Sequence, residues 1–407
     1  MKDNFRSLLG NLVASTLGII SFVLVAKKTE VAVFGAFALF MSVAGIFDLL
    51  KTGLIRQGLV REISTTSSQE THKKVFKNSL LLNHLILMIF VLPLPFGWAY
   101  EGSNNAILVL RWYPLLAASQ SMHHIGSWIS HAKQDFFRMN LFRIVANSII
   151  TLCLLITDSL AFENLMAIII SGNLIASLLA ISTMKELRHT PTYFPILSNH
   201  LLQFGKKNVL TLLGGNLLKN TDIIILGLYF SNHEVAQFAV PLKLLEMVDI
   251  PLRSFVSTAY PKLSRSFTNG SITDYKLIIS DCFKKSYLIA LPIAVACMIA
   301  PNLIFTAVSG KLITTDSIFI MRLISIAMIL QPLDKLIGVS LDAQNKPGKN
   351  AYKVWIMVGI NIIGDLIVVF YALPYSYMVI VTIINQLGGL YFIWKSNPIP
   401  KTMELAS

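Results

Sequence analysis

The sequence has 407 residues, of which 54% are hydrophobic and only 14% are charged. A soluble domain carries about 25% charged residues, so this composition excludes an ordinary water-soluble protein and indicates an integral membrane protein. The net charge of +13 would suit nucleic acid. The basic residues, however, lie between apolar runs rather than on one segment, so we expect no nucleic-acid partner.

Twelve apolar runs are long enough, at about 20 residues, to cross a membrane as helices. They cover residues 6–26, 31–50, 79–100, 106–129, 140–157, 162–184, 208–230, 235–257, 284–308, 316–341, 352–372 and 374–394. The connection at 185–207, near the middle of the chain, is basic and contains Pro191 and Pro195. The sequence therefore predicts an all-α integral membrane protein of about 12 transmembrane helices. Its two six-helix lobes are expected at residues 1–190 and 191–407.

A faint internal repeat relates the two halves. Residues 9–12 (Leu-Gly-Asn-Leu) resemble residues 214–217 (Gly-Gly-Asn-Leu), and residues 30–35 resemble residues 234–239, at offsets of 205 and 204. Six spans return the chain to the side on which it began, so the lobes should be parallel repeats. Such repeats place a binding cavity between them, near the membrane midplane.

Lysine and arginine predict the orientation. Twenty-five of the 34 lie on the side of the N-terminus, four lie on the opposite side and five lie inside spans. This bias predicts that both termini are cytoplasmic. The three cysteines and eight histidines lack the spacing of metal ligands, so we expect neither a metal site nor a cofactor.

Charged residues interrupt the apolar runs, chiefly in the C-terminal half. A charge at bilayer depth costs about 2.5–3.5 kcal/mol on insertion scales, so such residues normally face a cavity and mark a substrate pathway. The candidate substrate-binding residues are Lys219, Asp222, Lys243, Glu246, Asp249, Arg253 and Arg322. The secondary candidates are Asp48, Arg61, Asp334, Lys335 and Asp365.

Structural interpretations compete with a binding role for these residues. Lys243 and Glu246 are spaced to form a plain helical ion pair, and Arg253 lies near enough to a helix end to reach the headgroups. An ion pair with Lys51 is expected for Asp48, and one with Lys335 is expected for Asp334. Asp365 stands alone in an apolar run, so it needs an internal partner or a proton, and a role in ion coupling is the alternative.

Short motifs in a recurring order point to a family. Val33-Phe34-Gly35 opens the second span, Asp48 and residues 53–61 close it, residues 259–264 follow the eighth span, and residues 341–346 follow the tenth. Their order and spacing resemble the Wzx-type O-antigen and capsule polysaccharide flippases of the multidrug/oligosaccharidyl-lipid/polysaccharide exporter superfamily. Pro241, inside the eighth span, departs from the family pattern and is expected to kink that helix.

The resemblance implies a two-lobed, V-shaped cavity in a bacterial inner membrane. It also implies export of undecaprenyl-diphosphate-linked oligosaccharide to the outer leaflet for O-antigen and lipopolysaccharide synthesis. The expected partners are this lipid-linked substrate, membrane lipids and the polysaccharide polymerase machinery.

Diphosphate cannot cross hydrocarbon unaided, and Lys and Arg are the side chains that bind it. We therefore expect the cations Lys219, Lys243, Arg253 and Arg322 to face the diphosphate. The acids Asp222, Glu246 and Asp249 would hold these cations in place, or take part in coupling to an ion, H⁺ or Na⁺.

Two other functions remain open. A multidrug or metabolite antiporter of the same superfamily would share the fold, but it should carry more acids in its N-terminal lobe, where the spans hold little charge apart from Asp48. A membrane polymerase or glycosyltransferase would need a sizeable outer loop, and the loops at 101–105 and 309–315 are short. We therefore expect a transporter without catalytic residues.

Overall fold

The computed structural model of the protein describes residues 2–65, 69–99, 104–188, 199–310 and 314–395, and these are almost entirely helical. The helices are α1 (Lys2–Lys28), α2 (Val31–Lys51), α3 (Gln57–Thr65), α4 (Gln69–Val91), α5 (Leu94–Ala99), α6 (Asn105–Ala132), α7 (Phe136–Ile156), α8 (Phe162–Thr183), α9 (Lys185–Arg188), α10 (Asn199–Tyr229), α11 (Asn232–Thr268), α12 (Ile272–Ile299), α13 (Pro301–Val308), α14 (Thr315–Ala343), α15 (Pro347–Phe370) and α16 (Tyr377–Lys395). A π-helical turn at Thr52–Arg56 joins α2 to α3.

Each predicted span coincides with helix in the described part of the chain, so the all-α prediction is confirmed. Two spans are each built from two helices, α4 with α5 and α12 with α13. Among the described residues, eight helical stretches are long and apolar enough to cross a membrane by length and composition, and residues 377–392 form a shorter apolar helix. Pro191 and Pro195 lie outside the described residues.

Polar residues at the helix starts define the turns. The short polar turn before α11 is a capping box, in which the Ser231 hydroxyl accepts from the Glu234 amide while the Glu234 carboxylate accepts from the Ser231 amide. Thr314 and Ser317 form the same arrangement at the start of α14. Each box satisfies two backbone donors that a helix start leaves unpaired, so it fixes where the helix begins.

The chain divides into two compact units, Met1–Asn216 and Leu217–Ser407. The division falls inside α10, later than the predicted boundary at residues 190 and 191. The first part of α10 belongs to the N-terminal unit, where Val209 lies directly against Gly53. A helix that runs without a break from Asn199 to Tyr229 therefore carries the chain from one unit into the other.

In the N-terminal unit, α1 packs along α7, and α8 packs on both α6 and α7. An apolar cluster that includes Ile55, Ile125 and Phe142 joins the π turn to α6 and α7. In the C-terminal unit, α11 and α12 pack on α14, and α16 packs on both α14 and α15. The pairing of the sixth predicted span with the fourth and fifth thus recurs as the pairing of the twelfth with the tenth and eleventh.

Candidate functional site

Three cations of the C-terminal unit converge on one buried carboxylate. Asp249 on α11 is 2% exposed, and its Oδ2 lies 3.1 Å from Lys219 Nζ of α10 and 2.6 Å from the guanidinium of Arg253, one turn further along α11. Its Oδ1 lies 3.2 Å from Lys335 Nζ of α14. We call these four residues the Asp249 cluster.

The Asp249 cluster carries a net charge of two positive units, because three cations share one carboxylate. The carboxylate is buried, whereas the side chains of Lys219 and Lys335 are about one-third exposed and that of Arg253 is 57% exposed. The buried aspartate therefore holds the three cations in position, and each cation keeps N–H donors that are free to bind a ligand. Such an arrangement is suited to a multiply charged anion with several acceptor oxygens.

Two predicted cations lie outside this cluster. Lys243 Nζ is 2.8 Å from the Glu246 carboxylate, in a half-exposed pair within α11. Lys243 and Asp249 are six residues apart on α11. At 100° per residue, their side chains point about 120° apart around the helix axis. Arg322 is exposed on α14, and it precedes Lys335 by thirteen residues, which correspond to about 20 Å along the helix.

A second site is formed between α10 and α15 by two buried acids, Asp222 on α10 and Asp365 on α15. We call these two residues the acidic pair. Asp222 is 3% exposed, and its carboxylate accepts hydrogen bonds from the Asn361 amide and, at 2.9 Å, from the Thr382 hydroxyl. The Asn385 amide of α16 donates in turn to Asn361 at 3.2 Å. Asp222 therefore contacts none of the cations that it was expected to hold in place.

Asp365 is fully buried next to Asp222, and neither of its carboxylate oxygens has a hydrogen-bond donor among the described residues. Two adjacent ionised carboxylates in such a place repel each other strongly, so the pair requires a proton, a cation or both. The surrounding groups are carboxylate, amide and hydroxyl oxygens, which are the ligands that hard cations prefer. The residues of this acidic pair therefore fit the binding of H⁺ or a small cation.

Gly364 allows this arrangement. A Cβ atom at Gly364 would lie 2.4 Å from the Val381 side chain, so α15 and α16 approach more closely there than any larger residue permits. That approach brings Thr382 of α16 to the carboxylate of Asp222. The glycine that precedes Asp365 in the sequence is thus a packing requirement of the acidic pair.

Helix α10 links the two sites. Lys219 of the Asp249 cluster and Asp222 of the acidic pair are three residues apart, which places them about 4.5 Å apart along the helix axis and on neighbouring faces. A shift or rotation of α10 therefore moves one member of each site.

The secondary candidates have separate partners. Asp48 accepts two hydrogen bonds from Gln120 Nε2, at 2.7 and 2.6 Å, and forms the expected 3.0 Å ion pair with Lys51. Asp334 pairs at 2.6 Å with the buried Lys353. The expected pair of Asp334 with Lys335 is therefore wrong, because consecutive residues of a helix point in different directions. The side chain of Arg61 lies outside the described residues.

Asn361, Thr382 and Asn385 surround the acidic pair and were not among the residues predicted for a site. A signal was present, because Asn361 precedes Asp365 by four residues and Thr382 precedes Asn385 by three. These spacings place each polar couple on one face of an otherwise apolar helix. Neutral polar side chains that share a face of an apolar span are therefore a sequence signal for this kind of site.

Comparisons with solved structures identify the fold. The chain is similar to an inward-facing multidrug resistance MATE family transporter of the MOP superfamily, with 14% identity, coverage of 94% of both chains and a TM-score of 0.77. It is equally similar to the lipid II flippase MurJ in an inward closed conformation, with 15% identity, coverage of 97% of this chain and 87% of that one, and the same TM-score. At these identities and TM-scores the comparison shows a shared fold, which is the fold of these two membrane transporters.

The family follows from the sequence comparison. Residues 1–267 match the family described as "Polysaccharide biosynthesis protein", and the chain belongs to that family. A relative, the probable low-salt glycan biosynthesis flippase Agl15 of Haloferax volcanii, is 23% identical over 216 residues, which are 53% of this chain. The match spans only 45% of that relative's length.

Proposed function

We propose that the protein is a cation-coupled flippase that carries undecaprenyl-diphosphate-linked oligosaccharide from the inner to the outer leaflet of a bacterial inner membrane, with both termini in the cytoplasm. The transported unit would be a repeat of a surface polysaccharide such as O-antigen, and the polymerase machinery would receive it. Membership of a polysaccharide biosynthesis family and similarity to two flippases support this proposal.

The observation that carries the proposal is the Asp249 cluster. A lipid-linked oligosaccharide can leave its prenyl tail in the bilayer, but its diphosphate must be desolvated or matched by positive charge. The cluster offers two lysines and one arginine on a single buried carboxylate, with a net charge opposite to that of the diphosphate. Lys219, Arg253 and Lys335 would bind the diphosphate, and Asp249 would keep them in position.

The acidic pair would couple transport of the oligosaccharide to the binding of a cation. A proton or small cation bound between Asp222 and Asp365 relieves their repulsion and changes how α10 packs on α15 and α16. Because Lys219 is one turn away on the same helix, the cluster would exist in two arrangements with different affinities for the diphosphate. Coupling of this kind requires only that each ligand favour one of the two arrangements.

A cation-coupled multidrug or metabolite antiporter is the second candidate. The acidic pair and the similarity to a multidrug transporter favour it. Its usual substrates are cations, however, and the Asp249 cluster would repel them. The sign of the charge at this cluster therefore favours the flippase.

The test is transport by the purified full-length protein in proteoliposomes that contain a fluorescent prenyl-diphosphate-linked disaccharide. We expect wild-type protein to accelerate flipping and the Lys219→Gln/Lys335→Gln variant to slow it at least about tenfold, since a charge-assisted hydrogen bond contributes about 1.5–3 kcal/mol. Asp249 keeps Arg253 as its partner in this variant, so the fold should persist. Lys276→Gln/Lys349→Gln, which removes two exposed lysines, is the matched control and should flip normally.

Two results would contradict the flippase. One is a wild-type protein that leaves flipping unchanged, and the other is a double variant that flips as fast as wild type. Export of a cationic dye by the same proteoliposomes would favour the antiporter.

A further inference from the structure

A buried ion pair joins α14 to α15 and belongs to neither of the two sites. Lys353 of α15 is 3% exposed, and its Nζ lies 2.6 Å from the Asp334 carboxylate of α14. The pair is charge-neutral, so it offers no net attraction to an anion or a cation. Taking two opposite charges out of water costs about as much as their attraction returns, so stability alone does not account for the pair. Its effect on the arrangement of the two helices is therefore the property to explain.

Further contacts along the same two helices accompany the ion pair. The Asn350 amide of α15 donates to both carboxylate oxygens of Asp342, at 3.1 and 3.0 Å. A Cβ atom on Gly338 would lie 3.1 Å from the side-chain oxygen of the same asparagine. Asp334, Gly338 and Asp342 follow one another in steps of four residues, so they lie on one face of α14. We call the contacts of this face with Asn350 and Lys353 the α14–α15 ladder.

The α14–α15 ladder fixes the rotation of α14 about its axis. A rotation by one residue position, about 100°, would turn the whole face away from α15. It would also leave the ammonium group of Lys353 buried without a partner, which is one of the costliest changes that a protein interior can undergo. The face that holds Asp334 is therefore kept against α15.

The rotation of α14 decides where Lys335 points. Lys335 directly follows Asp334, and consecutive helical residues point about 100° apart, so the two side chains meet different neighbours. The neighbour of Lys335 is Asp249 of α11, whose Oδ1 lies 3.2 Å from the Lys335 Nζ. Lys219 and Arg253 both contact the other oxygen, Oδ2. Among the described residues, Lys335 is thus the one cation at Oδ1, and its long, flexible side chain needs α14 to hold it there.

We propose that the Asp334–Lys353 ion pair is a positioning pair, which sets the rotation of α14 through the ladder and so holds Lys335 at Asp249 in the diphosphate site. The last step, the binding of diphosphate by Lys335, rests on the proposed function. The first step, the placement of Lys335, does not. Neither member of the pair touches the ligand, so the pair affects transport through Lys335.

The first measurement is the rate at which an amine-reactive ester labels each lysine of the full-length protein in nanodiscs, read by mass spectrometry without added ligand. Asp334→Asn/Lys353→Met removes the ion pair, keeps the net charge and nearly keeps both side-chain volumes, so this variant should fold. Labelling of Lys335 should rise about two- to fivefold, the factor by which losing a partly exposed ion pair frees the amine. Labelling of Lys219, which contacts the other oxygen of Asp249, should not rise.

The matched control is Asp281→Asn/Lys285→Met, which removes an exposed ion pair of the same kind from α12 and should leave the labelling of Lys335 unchanged. Asn350→Ala is the milder second variant. It removes the other polar contact of the ladder, where the partners are only partly buried, and should raise the labelling of Lys335 by a smaller factor. Wild-type labelling of Lys335 in the pair variant, or in Asn350→Ala if the pair variant does not fold, would overturn the inference.

The second measurement is a double-mutant cycle on the affinity for farnesyl diphosphate. Removing the ion pair from wild type should weaken binding at least about tenfold, as expected when a hydrogen bond to a charged group is lost. Removing it from Lys335→Gln should have no further effect, because the lysine on which it acts is gone. Equal losses in the two backgrounds would mean that the pair does not act through Lys335.

Failure of the proposed function is distinguishable from failure of this inference. If the Asp249 cluster does not bind diphosphate, farnesyl diphosphate binds wild type and Lys219→Gln/Lys335→Gln equally. The labelling needs no ligand, so it still decides whether the ladder holds Lys335 at Asp249.

Discussion

At the scale of single residues, Asp249 is the group on which the C-terminal site depends. Three cations lie within 3.2 Å of its oxygens, and their ammonium and guanidinium groups would repel one another without it. The aspartate is therefore a positioning residue, and the cations that it holds are the candidate ligands of the substrate.

Asp249→Asn should destabilise the protein by about 1.5–3 kcal/mol, the usual contribution of hydrogen bonds to a charged group, because the cations that lose it are partly exposed. Glu246→Gln is the matched control, because the half-exposed pair with Lys243 should contribute no more than about 1 kcal/mol. Unfolding by heat or denaturant in detergent micelles measures both. Equal stability losses in the two variants would show that the cluster does not depend on Asp249.

Asp365→Asn should abolish stabilisation by the coupling ion. The amide keeps the shape of the carboxylate and removes its repulsion with Asp222, so the variant should fold as well as wild type. In wild type, we expect the unfolding temperature to rise with Na⁺ or on mild acidification, since a ligand that binds only the folded protein stabilises it. Asp281→Asn, in an exposed pair with Lys285, should keep the wild-type response. A normal ion response in Asp365→Asn would exclude this carboxylate as the ligand.

At the scale of helices, close approach between neighbours builds the acidic pair. Gly364→Ala should push α15 away from α16, because the new Cβ atom would meet Val381 at 2.4 Å, and it should lower the affinity for the coupling ion several-fold. Gly359→Ala adds the same atom to α15 in open space and should leave the ion affinity unchanged. Its effect on the stability of the protein should be neutral or slightly favourable, since Ala favours helix over Gly by about 1 kcal/mol. Calorimetric ion titration compares the two. Equal affinities would mean that the contact of α15 with α16 does not shape the site.

A second pair of helices is joined by a bond that responds to pH. Lys133, just after α6, donates to Glu186 on α9 and lies 5.6 Å from the centre of the Phe76 ring. Partial burial pushes the pKa of Glu186 upward, but the hydrogen bond and charge of Lys133 outweigh it, so the pKa lies below the ordinary value of 4.5.

A lowered carboxyl pKa contributes stability that is present above the ordinary value and is lost as the pH falls through the value in the folded protein. Hydrogen exchange of the α9 amides, corrected for the intrinsic rate, should therefore be slow near pH 6 and accelerate below about pH 4.5. Glu186→Gln should exchange quickly at both pH values. Protection in that variant equal to that of wild type at pH 6 would contradict the role of the ion pair.

At the scale of the whole molecule, the sequence predicted the membrane class and the helices well because they depend on long apolar runs. The sequence predicted the site less well. An ion pair between two helices depends on how far each helix is shifted along its axis and rotated about it, and composition does not reveal either quantity. Lys335 was assigned to Asp334 rather than to Asp249. Asn361 and Thr382 were passed over because neutral polar residues cost little in a membrane helix and so leave a weak signal.

The most direct test of the central claim is whether ion binding and diphosphate binding in the C-terminal unit affect each other. The measurement is the affinity of the full-length protein in nanodiscs for farnesyl diphosphate, with and without saturating coupling ion. We expect the ion to change the affinity at least about fivefold, a coupling of about 1 kcal/mol, and Asp365→Asn to remove that change. An affinity that is the same with and without the ion would contradict the claim.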